Sequence, residues 1–163
     1  MKRSEPVPIE IAEEPPSLGP VLDFMRLAWA MDHALHRVSR RLEATVGVTG
    51  PQRLLIRVVG RFPGSPQGRI AQLLHVHPST VTGIVDRLVR QGFIEKRVDP
   101  RDRRRVLLGL TPAGRHVNGS LEGTVEAAVL RTMESADEDD LAATRRVLES
   151  MVRHLEHEVP EAG

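Results

Sequence analysis

The sequence has no cysteine and no tyrosine, and aromatic residues make up only 2% of its 163 positions, as one Trp and three Phe. Without cysteine, a disulfide framework, a thiolate metal site and a cysteine redox sensor are excluded. So few aromatic faces argue against a single-strand or RNA binder that works by stacking bases. No apolar run approaches the roughly 18 residues of a membrane span. The first residues, MKRSEPVPIE, lack the apolar core of a signal peptide. The expectation is a soluble, cytoplasmic protein with no membrane partner. The motifs G-x-x-x-x-G-K, G-x-S-x-G and H-E-x-x-H are missing as well, so neither an enzyme nor a cofactor is expected.

Charge is present but unevenly placed. The formal net charge is +1. From Arg53 to Arg105 there are 12 Lys/Arg against 4 Asp/Glu, a local +8, while the rest of the chain carries 11 against 18, or −7. A basic block of this kind is the footprint of a polyanion partner, although a solvated basic face has the same composition. The hydrophobic fraction, 40%, is enough for a core, and the length suits one ordinary domain or two small intertwined ones.

Residues 1–17 hold four Pro and four Glu and read as a flexible tail. Leu22, Met25, Trp29, Leu35, Val38 and Leu42 recur at helical steps across 18–46, and Gly47 stops the pattern. Thr49 can cap the next helix, with Pro51 in its first turn and Leu54, Leu55, Val58, Val59 and Phe62 on one apolar side. Ser65-Pro66 opens a further helix with Ile70, Leu73 and Leu74 inward. After His75-Val76-His77, Pro78 starts a helix that Gly92 ends in a left-handed stop. Residues 93–98 and 105–110 read as strands around the turn DPRDRR. Thr111-Pro112 restarts a helix whose Val117, Leu121, Val125 and Val129 fall on a four-residue stripe. Ser135-Ala136-Asp137-Glu138 fits a capping box for the last helix, with Leu141, Leu148, Met151, Val152, Leu155 and Val159 apolar.

In the helix after Pro78, Val81, Ile84, Val85, Leu88 and Val89 face a core. Ser79, Thr80, Thr82, Gly83, Asp86, Arg87 and Arg90 face out. Small hydroxyl residues at its start permit close approach to base edges, and Arg87 and Arg90 suit the backbone or a guanine. The hairpin tip carries Arg101, Arg103, Arg104 and Arg105, relieved by Asp99 and Asp102. A narrow minor groove attracts arginine, and Asp102 is placed to hold the Arg104 guanidinium. The amphipathic ends, 18–46 and 111–158, bury their stripes either against each other or against a second copy in a two-fold dimer.

IAQLLHVHPSTVTGIVDRLVRQGFIEKR and DPRDRRRVLLGLTPAG resemble the MarR family of bacterial transcription regulators, and the resemblance extends over roughly residues 18–159. It implies a mainly α fold: a winged helix–turn–helix with a small β-hairpin wing, flanked by N- and C-terminal dimerisation helices. The expected organisation is a tail (1–17), a dimerisation helix (18–46), a winged helix–turn–helix DNA-binding domain (47–110) and C-terminal dimerisation helices (111–163). The family's wing motif falls on Asp102 and Arg104, and its recognition-helix contacts on Ser79, Thr80, Thr82, Arg87 and Arg90. Two positions depart from the family pattern. Gly83 stands where Arg is frequent, and His77 stands where Ser often caps the helix, His being a poor cap.

The resemblance further implies a homodimer on a pseudo-palindromic operator in double-stranded DNA. It also implies release by a small, often aromatic, anion. Met25, Trp29, His33, His36 and Arg40 on the first helix can form such a ligand pocket; alternatively Met25 and Trp29 are core or dimer contacts and the histidines are solvated. His33/His36 and His154/His157, with His116, are the candidates for a metal, and none is expected to bind one. The leading reading is a ligand-relieved repressor. Gly83 keeps alive a low-specificity architectural winged-helix DNA-binding protein, and a protein–protein winged-helix module is disfavoured by the +8 block.

Overall fold

The computed structural model describes residues 17–158. Residues 1–16 of the expected tail, and Val159 of the expected apolar stripe, lie outside the described residues. The chain divides into two units within its first helix, α1 (Pro20–Val46), after Ala34. In the first unit the Asp23 carboxylate accepts from the Ser17 hydroxyl (2.8 Å) and the Leu18 amide (3.3 Å), which ties the chain's entry to the first turn. Val21, Leu22, Phe24, Met25, Leu27, Trp29 and Met31 are exposed along this stretch.

The core of the second unit begins at Val48 and continues into α2 (Gly50–Arg61). Thr49 and Gln52 close a capping box there, with the Thr49 amide donating to Gln52 Oε1 at 2.8 Å. Leu55, Ile56 and Val59 are fully buried. Leu54 and Phe62, expected on the same side, are exposed: the buried face runs through 52, 55, 56 and 59, and Leu54 lies off it.

Ser65-Pro66 does not open a helix. It forms a two-residue strand, β1 (Ser65–Pro66), and α3 (Gln67–Leu74) starts after it. β1 is an edge strand, where the missing Pro66 amide breaks no central ladder. Ile70 and Ala71 of α3 are buried, whereas Leu73 is exposed. α4 (Pro78–Arg90) leads into β2 (Ile94–Val98) and β3 (Val106–Leu110). The sheet is antiparallel in the order β1-β3-β2, with Ile94 opposite Leu110 and Ser65 opposite Leu108. Leu55, Ile56, Val59, Ile70, Val81, Val85, Leu88, Ile94 and Leu108 form the centre of a single buried cluster, sealed by Val117.

The four-residue stripe after Thr111 does not belong to one helix. The chain makes α5 (Pro112–Gly119), breaks, and resumes as α6 (Val125–Ser135). Asn118, Gly119 and Ser120 are weak helix formers, Gly123 takes a φ of 70°, and the Thr124 hydroxyl caps α6 by accepting from the Ala127 amide at 3.2 Å. Arg53 holds the break from below. Its side chain is 3% exposed; Nη1 donates to the Val117 carbonyl at 2.7 Å, Nη2 donates to the Ser120 carbonyl, and Nε meets Glu126 at 3.0–3.1 Å. One guanidinium thus satisfies carbonyls freed at the end of α5 and pairs with a carboxylate in the first turn of α6. Arg57 adds a 2.6 Å bond to the Asn118 carbonyl.

The last helix, α7 (Glu138–Glu158), is capped by Asp137, whose carboxylate accepts from the Asp140 amide at 2.9 Å. Ser135, expected in that role, instead ends α6. No residue of α7 is buried, and Leu148, Val152 and Leu155 are exposed.

Candidate nucleic-acid interface

α4 turns Val81, Val85 and Leu88 into the core, with Ile84 and Val89 partly buried. Ser79, Thr80, Thr82, Gly83, Asp86, Arg87 and Arg90 are exposed, as the helical period requires. Its start corrects one expectation. His77 does cap the helix: Nδ1 accepts from the Ser79 amide at 3.3 Å and lies 2.7 Å from the Ser79 hydroxyl oxygen. The ring nitrogen takes the place of a serine oxygen. Thr82 donates its hydroxyl proton back to the Pro78 carbonyl at 3.0 Å. A Cβ on Gly83 would meet nothing within 4 Å, so this part of the helix offers bare backbone to whatever approaches it.

At the other end Gly92, with φ 76°, turns the chain from α4 into β2. Asp86 on α4 pairs with Lys96 on β2 at 2.7 Å, and this link fastens the helix to the wing. The sequence reading missed Lys96; the two residues belong to different elements, and no local pattern marks the pair.

The wing tip is an ordered turn. Asp99 and Arg105 close it, with the Asp99 amide donating to the Arg105 carbonyl at 2.9 Å. Asp99 Oδ1 accepts from the Arg101 amide at 2.9 Å and Asp102 Oδ1 from the Arg104 amide at 3.0 Å. Asp102 therefore orders the backbone that carries Arg104; the expected grip on the guanidinium is replaced by an Asx-type turn. Arg101, Asp102, Arg103, Arg104 and Arg105 are all exposed. The acidic residues spend their hydrogen bonds inside the turn, and the arginine heads project from it.

The basic block is less uniform than its count suggests. Arg53 is buried, and the part-exposed Arg57 is bound to Asn118 and lies 3.6 Å from Glu126, so neither adds an uncompensated charge to the positive surface. Arg87, Arg90 and the wing arginines remain on it. Glu126 feels Arg53 directly. Burial pushes its carboxyl up, but its own backbone amide, the Arg53 guanidinium and the Thr124 hydroxyl together hold it below the ordinary carboxylate value.

Of the candidate ligand residues, Met25, Trp29 and His33 fall in the first unit and His36 and Arg40 in the second; all five are exposed. The Trp29 and His33 rings meet edge-on, with centroids 5.4 Å apart. Two cavities in the second unit are lined by other residues. One, of about 730 Å³, lies between the C-terminal end of α2, the sheet and α5. The other, of about 260 Å³, lies beside Leu42, Arg53 and Thr124. Among the described residues no three His, Asp or Glu side chains gather as a metal site, and no helix is long and apolar enough to cross a membrane.

Comparison with known proteins matches residues 46–105 to the MarR family model. The chain is 30% identical over 92 residues to a putative transcriptional regulatory protein for the hcr operon of Thauera aromatica, covering 56% of this chain and 55% of that protein. It spans about half the length of the curated relatives it matches. Among solved structures, FabT of Streptococcus pneumoniae in complex with DNA superposes with a TM-score of 0.64 at 23% identity, over 85% of this chain and 99% of that one. The PcaV regulator of Streptomyces coelicolor, in complex with its natural ligand, gives 0.66 at 24% identity, over 85% and 97%. At these identities the likeness establishes the winged-helix fold.

Proposed function

We propose that the chain, whose segment 46–105 matches the MarR family model and holds the helix pair and the wing, is a member of that family and a sequence-specific, double-stranded DNA-binding transcription regulator. It acts as a homodimeric, cytoplasmic repressor on a pseudo-palindromic operator. The observation that carries this reading is the union of two probes in one body: an exposed polar helix face and an ordered arginine turn, joined by the Asp86–Lys96 pair and a common core.

In this reading residues 47–110 bind DNA. Ser79, Thr80, Thr82 and Gly83 approach base edges, Arg87 and Arg90 hold phosphates, and Arg104, set by Asp102 and flanked by Arg101, Arg103 and Arg105, enters the minor groove. Residues 18–46 and 111–163 pair two copies. The support is the apolar surface left on α6 and α7, where Val129, Leu130, Met133, Leu148, Val152 and Leu155 are all exposed.

In the first unit an aromatic anionic effector would stack on Trp29 and meet His33. The PcaV regulator, which shares the fold, is found in complex with its natural ligand, and this supports a ligand-binding reading. Gly83 favours a second reading, a low-specificity architectural binder, because it removes a side chain from the middle of the reading face. Selection of bound fragments from genomic DNA, repeated with candidate aromatic acids, tests the proposal. Enrichment of a pseudo-palindrome supports it, and recovery of unenriched DNA speaks for the architectural reading.

A further inference from the structure

The start of α4 fixes more than the path of the helix. A backbone amide can only donate a hydrogen bond, and the Ser79 amide donates to His77 Nδ1. Nδ1 is therefore the bare nitrogen of the ring, and the ring proton sits on Nε2. The Ser79 hydroxyl oxygen lies 2.7 Å from that same nitrogen. Only the hydroxyl can supply a proton to this contact, so it is the donor. Ser79 is left with lone pairs alone to offer outward.

Thr82, one turn along on the same exposed side, is in the same state by a separate route. Its proton is given to the Pro78 carbonyl at 3.0 Å. A free serine or threonine hydroxyl is an ambiguous reader, because it bonds to donors and acceptors alike. These two are not free.

We infer that His77 is a specificity-determining residue: by taking the Ser79 proton it makes Ser79 an obligate acceptor, so that Ser79 and Thr82 read bases bearing an exocyclic amino group, adenine or cytosine, in the major groove. The inference rests on the proposed placement of α4 in that groove. The groove edge supplies the matching chemistry: adenine and cytosine present an amino donor, whereas guanine and thymine present only acceptors at the corresponding carbonyl positions. Two committed acceptors one turn apart disfavour guanine and thymine at the positions they face, and His77 controls one of the two. The adjoining Gly83 places no side chain between them and the bases.

The test uses the full chain and a duplex recovered by selection, with each base pair of one half-site replaced in turn. Competition binding is measured for the natural protein and for Ser79→Ala, Thr82→Ala, His77→Ala and His77→Asn. The natural protein is expected to prefer the amino-bearing base at two positions, each by about tenfold, the scale of one hydrogen bond between neutral groups. Ser79→Ala should abolish one preference and Thr82→Ala the other. His77→Ala should bring the Ser79 preference to within about twofold while the Thr82 preference stays; His77→Asn, which keeps an acceptor at the cap, should restore it.

A pure capping role gives a different result. His77→Ala then weakens every duplex alike and leaves both ratios unchanged, which overturns the inference while the groove placement stands. A preference for guanine or thymine at the Ser79 position also overturns it. If Ser79→Ala and Thr82→Ala alter binding to no duplex at all, the placement of α4 fails, and this inference fails with it.

Discussion

Arg104 is exposed, and its backbone is held by Asp102, so it tests the wing with little risk to the core. Arg104→Ala is expected to lower affinity at fixed salt by tenfold or more and to reduce the salt slope by about one. Unchanged affinity in a fluorescence titration would remove Arg104 from the interface. Gly114 probes the interior instead. A Cβ there would collide with the Phe93 carbonyl oxygen, a backbone atom that cannot swing aside. Gly114→Ala should cost about 1–3 kcal/mol, the range for overpacking, and urea denaturation at full stability would contradict the geometry. Local signals announce such residues unevenly. Thr49, Pro51 and Gly92 mark their own positions because caps and left-handed turns are made by the residue itself. Gly114 and Lys96 owe their importance to partners on other elements, and nothing beside them in the sequence says so.

At the scale of elements, the joint between α5 and α6 depends on a charge that composition misassigns. Arg53 belongs to the basic block by position and to the interior by structure. Arg53→Met would leave the Val117 and Ser120 carbonyls without their donor and Glu126 without its buried partner. A loss of about 1–3 kcal/mol follows from leaving buried acceptors without their donor, and a loss below about 0.5 kcal/mol in chemical denaturation would show that the joint does not depend on it.

The same pair has a pH signature. Glu126 is held below its ordinary value in the folded state. Its contribution is therefore full above the unfolded carboxylate value and is lost as pH falls through the lower folded one. The stability gap between the natural protein and Glu126→Gln should be widest near neutrality and close in acid. A gap that stays constant across that range would refute the assignment. The stripe of Val117, Leu121, Val125 and Val129 reads as one helix because periodicity records spacing only; the break comes from Gly123, the Thr124 cap and the distant Arg53. The helix pair and wing are legible for the opposite reason, since a compact run of caps, turns and alternation specifies each of them nearby.

For the whole molecule, the exposed apolar side of α7 sets the expectation of two copies. Leu148→Lys with Val152→Glu should shift the chain toward monomers in sedimentation and weaken operator binding together, because two half-sites gain affinity from being linked. Retention of the dimer would place the interface elsewhere.

The central claim is that this winged helix reads sequence despite the bare position at Gly83. Competition binding at fixed salt between a selected pseudo-palindrome and random duplex of equal length tests it most directly. The account predicts a preference of at least ~10³ for the palindrome. Equal affinity for the two duplexes would contradict it and leave an architectural DNA binder.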